Sequence, residues 1–73
     1  MTLHELKEVL RLYNYTEDEG ECAAKKSEII SKCIINYECS EQDAETAIAL
    51  AIKKGVCEME VVGMVPWLFW SPL

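Results

Sequence analysis

SEQDAETAIALAIKKGVCEMEVV, residues 40–62, changes its hydrophobic period once, and that change decides the fold. Up to Lys54 the period is helical. Ala44, Ala47, Ile48, Ala51 and Ile52 fall at i, i+3, i+4, i+7 and i+8, one apolar stripe. Ser40 is placed to cap this helix through its hydroxyl, and Asp43 to reach back in the S-x-x-D form of a capping box. Glu41, Asp43 and Glu45 sit where the helix dipole favours anions; Lys53 and Lys54 sit where it favours cations. Gly55 supplies the left-handed stop. Beyond it Cys57, Met59 and Val61 alternate with Glu58, Glu60 and Val62, which predicts a strand with one apolar face, turned inward.

Working outward, the chain of 73 residues holds one small domain, and a core of that size draws on much of its 51% hydrophobic content. At the start, Thr2 and Glu5 have the T-x-x-E capping spacing. Leu3, Leu6, Leu10 and Tyr13 make a stripe widened by Val9, with His4 beside it and Asn14 as a stop. Glu17, Asp18, Glu19 and Glu21 cluster in the next stretch, which reads as a solvated connection or a helix entrance opened by Thr16. A further helical pattern runs through Ala23, Ser27, Ile30, Ile34 and Tyr37 with Cys33 alongside; the small residues 23 and 27 would let another helix approach closely. The expected boundaries are helices at about 2–14, 22–36 and 41–54 and strands at about 56–62 and 65–70.

Gly63 is the natural hairpin turn, and Pro66 confines the return strand to an edge or a start after it. In that strand Trp67 and Phe69 share one face, Leu68 and Trp70 the other. A two-layer domain cannot easily bury all four, so one pair should complete the core and the other face a partner. Trp70 lies nearer the end of the chain, so we expect Leu68 and Trp70 to face the partner and Trp67 to pack inward.

The charge narrows the function. Thirteen acids against seven bases give −6, which disfavours a nucleic-acid surface and suits a partner protein with a basic surface. We expect Glu17, Asp18, Glu19 and Glu21 to attract that partner. The first apolar segment is a charged amphipathic pattern rather than a signal peptide, and the run from Val61 to Phe69 is too short to span a membrane. A cytoplasmic monomer or weak dimer is expected. Cys22, Cys33, Cys39 and Cys57 form no C-x-x-C pair, and the only histidine is the distant His4. Reduced thiols packed as small hydrophobes are therefore expected, with disulfides or a four-cysteine metal site as the alternatives. No nucleophile, phosphate loop or metal set accompanies the carboxylates, so neither catalysis nor a cofactor is expected.

Three helices followed by a C-terminal β-hairpin make an α+β domain that resembles the winged-helix family: a helix–turn–helix through Tyr37-Glu38-Cys39, then a wing. The resemblance implies that the helix after the turn reads the major groove, here through Glu41, Gln42, Glu45, Thr46 and Ala49. Those positions hold no arginine or lysine, and the wing offers Glu58 and Glu60. Small size, acidity and a non-basic helix–turn–helix together make the chain similar to small phage-encoded proteins that bind and redirect a host's RNA polymerase. That resemblance implies a regulator acting on a protein. The other reading is a DNA-binding transcription factor using Lys25, Lys26, Lys32, Lys53 and Lys54 as its basic patch.

Overall fold

Thr2 opens the first helix, α1 (Leu3–Arg11), as the T-x-x-E spacing predicts. Its hydroxyl accepts the Glu5 N–H at 3.1 Å, and the Glu5 carboxylate accepts the Thr2 N–H at 2.8 Å. The structure, a computed structural model, describes residues 1–14 and 20–73. After α1 come β1 (Cys22–Lys25), α2 (Lys26–Tyr37), α3 (Glu41–Lys53), β2 (Glu58–Val62) and β3 (Val65–Trp70). The described residues thus form an α+β fold of three helices and one antiparallel three-stranded sheet, ordered β1-β3-β2.

α3 follows its sequence closely except at its cap, where Ser40 bonds the Asp43 N–H but the return bond of the expected capping box, from the Ser40 N–H to the Asp43 carboxylate, is not formed. The Ser40 hydroxyl accepts the Asp43 N–H at 3.0 Å, and Ala44, Ala47, Ile48 and Ala51 are buried with Ile52 packed beside them. Gly55 takes φ +75, its N–H reaching the Ile52 carbonyl at 3.1 Å while Val56 N–H reaches Ala51 at 2.9 Å. Those two bonds are the Schellman stop, and they satisfy carbonyls a helix end would otherwise leave open. The alanines on α3 let α1 and α2 both pack against it. Leu6, Val9 and Leu10 come from α1, Ile29, Ile30 and Cys33 from α2, and Leu68 and Trp70 from β3.

Two expectations are corrected here. The helix expected from residue 22 begins only at Lys26; Cys22–Lys25 is an additional strand, so the order is not three helices and then a hairpin. Its alternation is short but clean, with Cys22 and Ala24 buried and Ala23 and Lys25 exposed, and its pairing with β3 fixes it as a strand. The stripe of α2 is also rotated from the expected one. Ala23 and Ser27 are exposed, and Ile29, absent from the expected stripe, is fully buried.

The hairpin carries a two-residue turn. Gly63 at φ +57 and Met64 at φ +65 lie between the paired Val62 and Val65, the geometry of a type I′ turn that matches strand twist. That turn makes Val62–Val65 a hydrogen-bonded pair, so Val61–Pro66 is the non-bonded pair that follows. Pro66 therefore removes no bond to β2. β1 ends opposite Trp67, so no bond to β1 is lost there either, which corrects the expected edge position: Pro66 lies within β3, the central strand. The expected apolar inner face of β2 is corrected too: Cys57 is buried, but Met59 and Val61 are exposed, because the helix layer packs on β3 rather than on β2.

The helix ends and the core make three stability predictions. Ile48→Ala should cost about 2–5 kcal/mol through the cavity it leaves, and Ser40→Ala about 0.5–2 kcal/mol through the lost cap. Urea titration monitored by circular dichroism measures both; an unchanged midpoint for Ile48→Ala would contradict the burial of Ile48 in the core. Glu38, which ends α2, adopts φ +52, a conformation costly for any residue with a Cβ. Glu38→Gly should gain about 0.5–1 kcal/mol after the extra freedom of glycine in the unfolded chain is subtracted. A lowered melting temperature would contradict this account of the turn.

Candidate functional site

The exposed side of α3 is acidic because its other side is committed to the core. Glu41, Gln42, Glu45, Thr46 and Ala49 line one shallow, open depression along that helix. They are the five positions that the sequence placed on a reading face. Two carboxylates therefore stand over the first turns of the helix, whose dipole favours them there. Lys26, at the start of α2, puts its Nζ 3.1 Å from Glu45 Oε1. The pair is partly solvated, so it contributes little to stability, but it spends one of the lysines on a local carboxylate.

Around the corner lies the outer face of the sheet. Register sets Ala23, Phe69 and Glu58 in one row and Lys25, Trp67 and Glu60 in the next. Trp67 and Phe69 are half-buried, and Lys25 Nζ stands 6.0 Å from the centre of the Trp67 ring, within cation–π reach. Glu21 joins Glu58, Glu60, Phe69 and Met59 around a second depression closed by Ile52, Gly55 and Cys57. Carboxylates thus flank the two aromatics on the β2 side, while Lys25 flanks Trp67 on the β1 side.

The assignment of the aromatic faces is reversed from expectation. Leu68 is fully buried and Trp70 is 3% exposed, so neither faces a partner. Trp67, expected inside, lies on the outer face. Pleating separates the two pairs, but the choice of inner pair rests on what meets each face. Trp70 finds both a lid of helices and an acceptor: its indole Nε1–H donates to Asn14 Oδ1 at 3.0 Å. Asn14 also accepts from the Cys22 thiol at 3.7 Å, and its amide donates to the main-chain oxygen of Leu73 at 2.7 Å. The sequence marked Asn14 only as a helix stop. A buried tryptophan's need for an acceptor was the available signal.

The other expected site residues scatter. Glu17, Asp18 and Glu19 lie outside the described residues, and Glu21 is exposed beside β1. Lys25 and Lys26 stand where β1 meets α2, and Lys32 is in the middle of α2. Lys53 lies more than two turns along α3 from Glu45, about 12 Å by helical rise, with Lys54 next to it. The lysines of the DNA-binding reading thus come from β1, α2 and the end of α3. Cys22, Cys33 and Cys57 are buried and Cys39 is partly so, all as free thiols. Burial, aided by the neighbouring Cys39, pushes the Cys33 thiol up to about 11, and burial raises Cys57 as well. Both stay protonated at neutral pH and pack as small hydrophobes. Among the described residues no three of the His, Cys, Asp and Glu side chains are grouped as a metal would require. His4 is exposed at the start of α1, 4.0 Å from Glu8. No described helix is long and apolar enough to cross a membrane.

Asn14→Ala should destabilise the domain by about 1–3 kcal/mol, because the indole N–H of Trp70 would stay buried without an acceptor. Denaturant titration measures the loss. A change under a few tenths of a kcal/mol would show that Asn14 does not hold this bond in solution. Compared with family models, with curated proteins and with solved structures, the chain matches none.

Proposed function

We propose that the protein is a small regulator that acts by binding another protein through acidic surfaces, with a winged-helix-like arrangement as its scaffold. The observation that carries this reading is the outer face of α3, where Glu41 and Glu45 stand exposed on the helix that follows the turn. In the family that the sequence resembles, that face would approach phosphates, and carboxylates there would repel them. The hairpin after α3 continues the same character with Glu58 and Glu60. A basic protein surface complements both, and such complementarity speeds association and fixes orientation more than it adds affinity. A bacterial RNA polymerase, whose channels are built to hold nucleic acid, is the partner class we put forward, which would make the chain a transcription regulator of the phage type.

Purified bacterial RNA polymerase, immobilised for interferometry, and a random DNA duplex in a low-salt mobility shift test the reading together. We expect binding to the polymerase with an on-rate that falls as salt rises, and no shift of the duplex. Glu41→Lys combined with Glu45→Lys should lower that on-rate about tenfold or more. A duplex shift that weakens with added salt, with no polymerase binding, would replace this reading with the DNA-binding one through the lysines.

A further inference from the structure

Edge strands expose main-chain groups that can pair with another chain, and proteins ordinarily blunt them with lysine, proline, bulges or brevity. The two edges of this sheet differ in that respect. β1 is four residues long and ends in Lys25. β2 is exposed along its whole length, contains neither lysine nor proline, and pairs with β3 in unbroken register from Glu58 to Val62. The two-residue turn makes Val62, Glu60 and Glu58 the positions bonded to β3. Met59 and Val61 then direct their N–H and C=O groups away from β3, on the side where, among the described residues, the sheet order places no strand. Beyond them the turn holds Met64 94% exposed at φ +65, an apolar side chain at a position that would cost glycine less.

We propose that β2 receives an extended segment of a partner protein as an added strand, and that this segment alternates lysine or arginine with aliphatic residues. This rests on the protein-binding reading above and names the chemistry of the partner at a second surface. The alternation of β2 selects the segment. Glu58 and Glu60 share one face of the sheet with Phe69 and Trp67, so basic side chains beside them are matched in charge. Met59 and Val61 share the other face, where aliphatic side chains would shield them from water. A second copy of β2 is the wrong occupant, because the two-fold pairing with the fullest overlap sets Glu60 against Glu60 on a chain already at −6.

The test uses the intact protein, labelled with nitrogen-15, and a blocked synthetic peptide of alternating lysine and valine, about eight residues long so that it spans a strand. At saturating peptide, exchange of the Met59 and Val61 amide protons should slow about tenfold or more. A peptide alternating glutamate and valine should not bind. Val61→Pro removes an outward N–H at a position an edge strand tolerates, and should weaken binding about tenfold. If that variant does not fold, Glu58→Lys with Glu60→Lys should reverse the preference between the two peptides. No binding of the lysine–valine peptide, or binding that leaves Met59 and Val61 exchanging freely, overturns the proposal. So does protection of those amides that rises with protein concentration in the absence of peptide, which would mark a second copy as the occupant. Polymerase binding without peptide binding defeats this inference and leaves the broader reading standing; peptide protection without polymerase binding supports the edge site and directs the search to another basic protein.

Discussion

The hydrogen bond from Trp70 to Asn14 is the constraint on which the arrangement of this small domain depends. A tryptophan can be sunk in a core only if its N–H finds an acceptor, and Asn14 stands at the end of α1 to provide one. The same side chain touches β1 through Cys22 and meets the main chain at Leu73, so the helix layer and both bonded strands converge on one amide. With Trp70 and Leu68 held inward, pleating leaves Trp67 and Phe69 no choice but the outer face. The chemistry of the exposed sheet is therefore decided on the hidden side.

Local signals were legible in the sequence wherever both ends of an element were chemically marked. Thr2 with Glu5, Ser40 with Asp43, and Gly55 fix α1 and α3 through bonds made within a few residues. β1 has no such mark: Cys-Ala-Ala-Lys suits a helix as well as a strand, and only pairing with β3, near the other end of the chain, makes it a strand. The rotation of α2 was missed for a related reason, since Ile29, Ile30, Ile34 and Ile35 offer more than one apolar stripe and only packing chooses among them. The α3 surface was readable, because five residues on one side of a well-placed helix must lie together. The aromatic tail was readable in its parity alone. Which face turned inward depended on Asn14, whose side-chain role carries no periodic signature.

The surface charge is distributed by the same logic of commitment. Alanine and isoleucine occupy the inner side of α3, leaving glutamates outside; Lys26 is drawn to one of those glutamates and Lys25 to the Trp67 ring. Positive charge on the described surface is thus partly consumed locally, while Glu21, Glu41, Glu58 and Glu60 remain exposed. Such a surface presents an extended negative field to whatever approaches it, and that field weakens with ionic strength as solvated charges are screened.

The brevity of β1 has a consequence for how the molecule is made. The α2–α3 pair and the β2–β3 hairpin join neighbours in the chain and can form early, whereas Cys22 must find Trp70 across about two thirds of the sequence. Until it does, β3 is an unpaired edge bearing Trp67, Leu68, Phe69 and Trp70 in a row, a segment with the composition of an aggregation seed. Three small residues and Lys25 therefore cover that edge in the native state. Their contribution lies as much in closing off a misassembly route as in the few bonds they add to the native state.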